Sequence, residues 1–519
     1  PDDFEGETEE VYFDFKNIEE GVHLGSCGSL DLDIFEFRTK STKDPRVTLT
    51  KEVVSCMKKY AYKPNALVSF YSSESHSWRL SLITTDYSVE NGKIKTEHSN
   101  PRRFSFKLGE DCKAHTPEEM LFKKGQVCAH SENGKTVTAI EDLKNRFALE
   151  VVSKQFFDEY KVFYEDFVQY ITGNRYVKVG GKYERKSVSK ENMKIFAQFK
   201  KLANDDYELA CKYVRDYVKK IMGRLVFLQF LQKKGWLGVA PHASWGSGNK
   251  NFLLDLFTSS KHKDDFLEKV LEPLFFGMLN TDVDDRKNLF KAKNWDISLL
   301  DDFKRIPYLN GGLFERDTLD ELKIKFPQEL FSNPQKADKE RTFNDKKDYS
   351  KEPYPFTEAC GLLDFFARYN FTIDETDHSD MEIGVDPEML GKIFENLLED
   401  NKDKGAFYTP KEIVQYMCRE SLIAYLESRC FANARHDSHS EGAIATEESK
   451  IRSLVTAHNA DFTNSEKSTL LKALREVKIC DPAVGSGAFP MGMLNELFAC
   501  RVALGEENEP AEIKKQIVR

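Results

Sequence analysis

Residues 477–489 combine residue types that suit the binding of a ligand, with the order Val-Lys-Ile-Cys-Asp-Pro-Ala-Val-Gly-Ser-Gly-Ala-Phe. A short apolar strand, Val477–Cys480, is predicted to run into Asp481 and then into a tight Gly-x-Gly turn. Gly485 and Gly487 have no Cβ, so the backbone can approach a ligand closely and adopt a positive φ. The free amides at the start of the helix that follows can hold a carboxylate. In a parallel sheet, this loop would lie at the carboxyl end of a strand, where ligands bind.

Three protein families use glycine loops of this kind. A Walker A phosphate loop ends in Gly-Lys-Ser/Thr, an ending that Gly487-Ala488-Phe489 lacks. A dinucleotide fingerprint has a third glycine three residues after the second, where this sequence has Pro490. The pattern that remains, Asp-Pro-x-x-Gly-Ser-Gly-x-Phe, is matched throughout. A helix carrying the apolar residues from Met491 to Phe498 is predicted to follow.

A second segment, Lys404–Glu412, contains Gly-Ala-Phe-Tyr-Thr-Pro and precedes residues with the apolar spacing of a helix. Thr409 is a suitable N-cap, and Pro410 would occupy the first helical position. Glu412 would complete a capping box. Taken alone, the segment predicts no more than a well-capped helix.

Together, the two segments resemble the N6-adenine DNA methyltransferases in which the cofactor motifs come first. The wider context resembles type IIG restriction enzymes, which join an endonuclease domain, a helical connector and a methyltransferase in one chain. Residues 223–237 and 308–314 look like the connector of that family. The resemblance implies S-adenosylmethionine as cofactor, Mg²⁺ for a nuclease, and double-stranded DNA as partner.

The resemblance also implies roles for individual residues. Those of the glycine loop would line the cofactor pocket, with the phenylalanine packed beneath it, and those of the second segment would close over the methionine end of the cofactor. The cofactor-binding residues implied in this way are Phe407, Tyr408, Thr409, Pro410, Asp481, Pro482, Ala483, Gly485, Gly487 and Phe489.

One departure concerns methyl transfer itself. The family uses an Asn/Asp-Pro-Pro-Tyr/Phe motif that holds the target amino group while its aromatic residue stacks on a flipped base. No such tetrapeptide occurs between the glycine loop and Arg519. We therefore expect this chain to be the N-terminal portion of such an enzyme, inactive alone in methyl transfer, with apolar surface exposed between Val477 and Phe498. Two alternatives stay open: a methylation-only or phage-defence methyltransferase with a degenerate N-terminal domain, or a non-catalytic module that binds the cofactor or DNA.

A nuclease of the PD-(D/E)xK kind needs two acids that hold Mg²⁺ and a lysine near the attacking water. The best candidates are Asp33, Glu36, Arg38 and Lys40, on an alternating strand. Asp33 and Glu36 are the predicted metal ligands, Arg38 takes the place of the expected lysine, and Lys40 is its substitute. Asp33 and Arg38 are predicted on one face and Glu36 on the other, so a bulge would have to unite the two acids. A solvated edge strand explains the same residues.

The fold prediction is a multidomain α/β plus α chain. It has a PD-(D/E)xK-like α/β domain over residues 1–115, a helical connector over 136–360, and the start of a Rossmann-like class I methyltransferase domain over 361–519. Polar insertions at 334–355 and 433–450 are predicted to be exposed loops. A net charge of −10 leaves the partner open, because a local basic groove can lie on an acidic body. Scattered cysteines and the absence of a long apolar run predict a cytoplasmic protein without a membrane contact.

Overall fold

The structure is a computed structural model. It describes residues 4–6, 8–40, 46–59, 63–85, 88–90, 93–95, 102–110, 112–132, 134–179, 182–309, 312–344, 356–372, 380–385, 409, 411–430, 441–482, 484 and 487–518. The chain divides into two compact units, residues 1–397 and residues 398–519. No helix in these described ranges is long and apolar enough to cross a membrane.

The first unit contains a mixed sheet of eight strands, and three separate hairpins. The sheet follows the order β1-β3-β4-β5-β6-β9-β14, with β2 paired to β3. β4 and β5 run parallel, β14 is parallel to β9, and the other pairs are antiparallel. The strands are β1 (Phe4–Glu5), β2 (Glu9–Glu10), β3 (Ile18–Cys27), β4 (Leu32–Thr39), β5 (Asn65–Tyr71), β6 (Ser77–Thr84), β7 (Ser88–Glu90), β8 (Lys93–Lys95), β9 (Arg102–Gly109), β10 (His130–Glu132), β11 (Lys135–Val137), β12 (Asn174–Val179), β13 (Lys182–Ser187) and β14 (Asp380–Glu382).

Alternation along β4 places apolar residues on both faces of this sheet. Phe35 and Phe37 lie on one face, in a core that includes Val53 of the helix α1 (Arg46–Lys59). Leu32 belongs to the core on the other face, together with Phe106 of β9. Burial on both faces fixes the register of β4, because a shift by one residue would exchange the two sets. The predicted mixed α/β character of the N-terminal region is confirmed.

Helices dominate the remainder of the first unit and share one large aromatic core. The hairpin β12–β13 interrupts the block that was predicted to be helical throughout. The α-helices are α2 (His115–Pro117), α3 (Ala139–Arg146), α4 (Leu149–Thr172), α5 (Met193–Leu202), α6 (Tyr207–Lys233), α7 (Phe252–Ser259), α8 (Arg286–Ala292), α9 (Leu299–Phe303), α10 (Gln328–Phe331) and α11 (Leu362–Arg368). Segments of π-helix cover Glu118–Lys123, Leu267–Leu271 and Pro273–Leu279, and 3₁₀ turns cover Gly28–Leu30, Lys263–Asp265, Gly312–Phe314, Thr318–Glu321, Pro334–Lys336 and Phe356–Glu358.

A buried ion network ties distant parts of the helical block together. Asp166 of α4 pairs with Arg175 of β12 through one oxygen and with Arg341 through the other. All three side chains are almost fully buried. The prediction of an exposed loop over 334–355 is therefore wrong at Arg341, because this cation is needed inside to neutralise Asp166. Residues 345–355 lie outside the described part of the chain.

The second unit is helical in its described residues. Its helices are α12 (Lys411–Cys430), α13 (Glu441–Ala457), α14 (Asn464–Glu476), α15 (Ala488–Ala503) and α16 (Pro510–Val518), which share a core of Leu, Ile, Val and Cys side chains. The prediction of an exposed loop over 433–450 is wrong for Glu441–Lys450, which begin α13. This helix forms because Ile451, Leu454 and Val455 bury one face in the core.

The predicted strand Val477–Cys480 is wrong for this structure, which has no strand among the described residues of 398–519. A strand requires a neighbour for its backbone hydrogen bonds, and helices surround this segment. The predicted domain limits remain predictions. α11 and β14, which follow the predicted limit at residue 361, belong to the first unit.

Candidate cofactor site and the N-terminal acids

The glycine turn forms the entry to α15. Gly487 adopts φ +82°, in the left-handed region, and is the N-cap of that helix. Its amide donates a hydrogen bond of 2.7 Å to the carbonyl of Val484, which closes the turn. The helix then continues with Met491 N donating to the Gly487 carbonyl at 3.0 Å. The expected positive φ at Gly487 and the helix after the turn are both present.

The front of this turn is open and presents backbone donors. A Cβ placed on Gly487 would meet no atom of the described residues within 4 Å. The first amides of a helix have no acceptor within the helix, and here they belong to Ala488 and Phe489, since Pro490 has no N–H. Two N–H groups at the positive end of the helix dipole suit a carboxylate. The turn therefore has the space and the donors that an anionic ligand end requires.

Apolar side chains are exposed around the turn. Ile479, Val484 and Met491 are each about half exposed, and so are Ile413 and Met417 of α12. The expectation of exposed apolar surface between Val477 and Phe498 is confirmed. Exposed apolar residues that flank open backbone donors in the sequence, as Val484 and Met491 do, are typical of a site that receives a partner or ligand.

Several of the implied cofactor residues cannot be placed. Phe407, Tyr408, Pro410, Ala483 and Gly485 lie outside the described residues. Thr409, Asp481, Pro482, Gly487 and Phe489 are described. The carbonyl of Phe489 lies 3.7 Å from the thiol of Cys418 in α12, so the start of α15 packs on that helix.

Close contact between α15 and α12 fixes the position of the turn. Gly492 lies so near α12 that a Cβ there would be 2.8 Å from Cγ1 of Val414 and 3.2 Å from Sγ of Cys418. Such a separation is shorter than carbon atoms tolerate in ordinary packing. The absence of a side chain at Gly492 therefore determines how closely the two helices approach.

A buried carboxylate below the turn was missed in the sequence. Glu496 of α15 is 5% exposed and accepts hydrogen bonds from Arg419 Nε at 2.9 Å and Gln415 Nε2 at 3.1 Å. Burial opposes ionisation of Glu496, but His458, Arg419 and Gln415 outweigh it and lower the pKa of this carboxyl. In the sequence, a single acid within the apolar pattern of this helix could have indicated the role of Glu496. Glu496 joins α15 to α12 and holds the helix that carries the glycine turn.

The acid Asp33 of the N-terminal sheet is fully engaged inside the protein. Its side chain is 1% exposed. Oδ1 accepts a hydrogen bond from Ser26 Oγ at 2.5 Å and lies 3.0 Å from Nε2 of His23, and Oδ2 accepts from the backbone N–H of Lys63 at 2.5 Å. These partners satisfy the carboxylate in its buried position. Asp33 thus joins β3, β4 and the start of β5.

The structure does not bring the other nuclease candidates to Asp33. β4 pairs with β5 in regular register over 32–38, and the irregular pairing near Gly25 lies in β3. Because β4 has no bulge, Glu36 lies on the face opposite Asp33, as predicted for a regular strand. The two carboxylates therefore do not come together. Arg38 lies on the same face of β4 as Glu36, because the two residues are two positions apart on a regular strand. The prediction that Arg38 shares a face with Asp33 is therefore wrong.

The basic candidates have other partners. Arg38 pairs with Glu19 at 3.2 Å and with Glu20 at 2.7 Å. Lys40 donates to the carbonyl of Phe15 at 2.9 Å. Across the described ranges, no group of three or more His, Cys, Asp or Glu residues could hold a metal ion. The four residues therefore do not fit an assembled Mg²⁺ site.

The chain is similar in sequence to a restriction–modification protein. Over 351 residues, the chain is 26% identical to a protein of Methanocaldococcus jannaschii named "Putative type II restriction enzyme and methyltransferase RM.MjaORFECS2P". The match covers 65% of this chain and 25% of the relative, so the chain spans about a quarter of the relative's length. It supports a function of the restriction–modification type in general terms. No protein-family model and no solved structure matches the chain.

Proposed function

We propose that the chain is part of a DNA N6-adenine methyltransferase fused to a restriction endonuclease, and that its glycine turn binds S-adenosylmethionine. The observation that carries the proposal is the left-handed Gly487, which ends the Asp-Pro-x-x-Gly-Ser-Gly pattern and opens α15. Open space in front of Gly487, as far as the described residues show, and two free amides at the start of α15 support the binding of an anionic ligand end.

Each described residue of the turn has a role in this proposal. The amides of Ala488 and Phe489 would hold the carboxylate of the methionine part of the cofactor. Asp481, at the start of the turn, would line the pocket, and the half-exposed Val484 and Met491 would supply apolar contact. When bound, the cofactor supplies the methyl group for transfer to the adenine amino group.

Glu496 would support the site without contacting the cofactor. Its hydrogen bonds to Gln415 and Arg419 fasten α15 to α12 about two helical turns after the start of α15. A rigid supporting element keeps the N-terminal amides of α15 in place before the ligand arrives, which lowers the cost of binding. The proposal therefore distinguishes the residues that would touch the cofactor from those that position them.

The name of the relative joins restriction and methylation in one protein, which supports the fused character of the proposal. The partner would be double-stranded DNA, from which the target adenine is turned out into the site. We assign no cleavage step to Asp33 or Glu36, since the first is satisfied internally and the second lies on the opposite face.

Ultraviolet crosslinking of radiolabelled S-adenosylmethionine to the chain, followed by peptide mapping, tests the proposal. We expect label in the peptide that spans the turn and the start of α15, and loss of the label when excess unlabelled cofactor is present. Label in peptides of the first unit alone, or labelling that unlabelled cofactor does not reduce, would contradict the proposal.

A further inference from the structure

The α6–α7 loop (residues 234–251) connects two helices of the first unit, and nothing in the proposed methyl transfer uses it. Residues 217–254 contain no Asp or Glu, although the chain has 86 such residues among its 519. Within this stretch, the loop carries two tryptophans and a histidine between lysines. A surface segment without acids that combines cations with aromatic rings is typical of a site that binds nucleic acid.

The backbone of the α6–α7 loop is held by its own hydrogen bonds. The N–H groups of Gly246 and Gly248 both donate to the carbonyl of Gly235, at 3.1 and 2.9 Å. Gly235 adopts φ +66°, in the left-handed region, and turns the chain after α6. Trp245 and Lys234 immediately precede the bonded residues Gly246 and Gly235, so they lie on neighbouring stretches of backbone. The loop therefore presents its side chains from a defined backbone.

Trp245 is displayed on this loop with one face of its ring covered. Cζ of Arg305 lies 4.6 Å from the centroid of the indole. The guanidinium is itself fixed, because Nη1 donates to the carbonyl of Ala243 at 2.7 Å and to that of Pro241 at 3.3 Å. The backbone of Arg305 also pairs with that of Val239. Trp245 is nevertheless 48% exposed, so the opposite face of the indole is open to solvent. A ring held in place before a partner arrives loses little entropy on binding.

Three exposed lysines accompany the loop. Lys234 begins it, Lys250 lies next to its last residue, and Lys304 adjoins the arginine that supports the indole. No ion pair engages any of the three in the part of the chain that the structure describes. The acids nearest in sequence, Asp255 and residues 301–302, lie outside the loop on α7 and α9. The loop itself is therefore positively charged, which favours a partner that carries phosphate groups.

An aromatic ring with one open face in a positively charged loop suits an unpaired nucleotide. A base can stack on the indole while the neighbouring phosphates approach the lysines, and every base has such a face. In a duplex, the bases are stacked on one another and do not offer their faces to a protein side chain. The exposed indole of Trp245 therefore favours a single strand over a duplex.

We propose that the α6–α7 loop binds single-stranded DNA. A base stacks on the open face of Trp245, and Lys234, Lys250 and Lys304 contact the phosphates on either side of it. Arg305 does not touch the strand and acts as a positioning residue beneath the indole. This site is separate from the glycine turn and does not depend on the proposed methyl transfer.

Fluorescence anisotropy of a labelled oligothymidine of about twelve nucleotides, titrated with the 519-residue chain, tests this proposal. We expect saturable binding that weakens as the salt concentration rises. Trp245→Ala should lower the affinity at least about fivefold, because it removes the stacking surface, and Trp245→Phe should retain most of the affinity. Lys250→Glu should lower both the affinity and its dependence on salt. Trp245 and Lys250 are exposed, so these variants should fold normally.

Matched variants make the result specific. Trp78→Ala removes a tryptophan of β6 that is 37% exposed, and Lys287→Glu makes the same charge change at an exposed position of α8. Neither should change the affinity for the single strand, and binding of a duplex of the same length should not respond to Trp245→Ala. The proposal is overturned if the oligothymidine does not bind, if Trp245→Ala binds it as tightly as the wild type, if Trp78→Ala or Lys287→Glu weakens binding as much as its counterpart in the loop, or if Trp245→Ala weakens duplex binding equally.

Discussion

The carboxylate of Glu506 accepts a hydrogen bond of 2.6 Å from Nε of Arg501, and both side chains are at most 2% exposed. This pair lies at the C-terminal end of α15, where the chain turns toward α16. Arg475 adds a second guanidinium at 2.9 Å. Hydrogen bonds from Arg501 lower the pKa of Glu506 to about 2. The far end of the helix that carries the glycine turn is thus anchored by a buried ion pair.

This pair predicts acid sensitivity of the second unit. Because the folded pKa of Glu506 is below the unfolded value of about 4.3, the pair contributes fully above that pH and loses its contribution as the pH falls toward 2. Glu506→Gln should lower the free energy of unfolding by about 2 kcal/mol at pH 7. The difference in free energy of unfolding between Glu506→Gln and wild type should fall to roughly half of this value at pH 3. Urea unfolding at several pH values measures this difference. A difference that does not change with pH would contradict the lowered pKa of Glu506.

The contact of Gly492 with α12 predicts a second effect on stability. Gly492→Ala should destabilise the second unit by about 1–3 kcal/mol, because the new methyl group overlaps Val414 and Cys418. This cost exceeds the gain of up to about 1 kcal/mol that alanine brings to a helix interior. Val502→Ala, at an exposed position of the same helix, is the control and should change stability by no more than about 0.5 kcal/mol. Equal free energies of unfolding for Gly492→Ala and wild type in urea would contradict this prediction, because α15 would then be able to move away from α12.

Strand positions of the N-terminal sheet could be predicted because alternation is a local signal. The alternating strand that was predicted to carry Asp33, Glu36 and Arg38 is present as β4. The pairing of β4 between β3 and β5 could not be predicted, since it depends on contacts between residues far apart in sequence. The same limitation explains the error at Val477–Cys480, where a strand-like pattern has no neighbouring strand among the described residues.

Replacing the two acids of β4 by alanine should have different effects on the free energy of unfolding. Asp33→Ala should lower the free energy of unfolding by at least about 2 kcal/mol, since it leaves the buried donors of Ser26 and Lys63 without their acceptor. Glu36→Ala should change it by no more than about 0.5 kcal/mol. Thermal unfolding with and without Mg²⁺ checks both expectations. A rise in melting temperature with Mg²⁺ that Glu36→Ala abolishes would restore the predicted metal site.

The features of the glycine turn that depend on neighbouring residues in the sequence could be predicted. A left-handed Gly487 before a helix follows from residue types and order alone. Glu496 could not be assigned a role in this way, because its partners Gln415 and Arg419 are about eighty positions away in the sequence.

The central claim is that the turn at Gly487 binds S-adenosylmethionine, and a matched pair of glycine variants tests it most directly. Gly487 and Gly505 flank α15 with φ of +82° and +88°, and a Cβ at either would meet no atom within 4 Å in the described part of the chain. Alanine at each should therefore cost about the same, on the order of 1–2 kcal/mol from backbone strain.

Calorimetric titration of S-adenosylmethionine into the wild type, Gly487→Ala and Gly505→Ala separates binding from strain. We predict saturable binding to the wild type and Gly505→Ala, and affinity at least about tenfold lower in Gly487→Ala, where the new methyl group and the shifted amides disturb the carboxylate site. Equal affinities in the two variants, or no binding to a folded wild-type chain, would contradict the account.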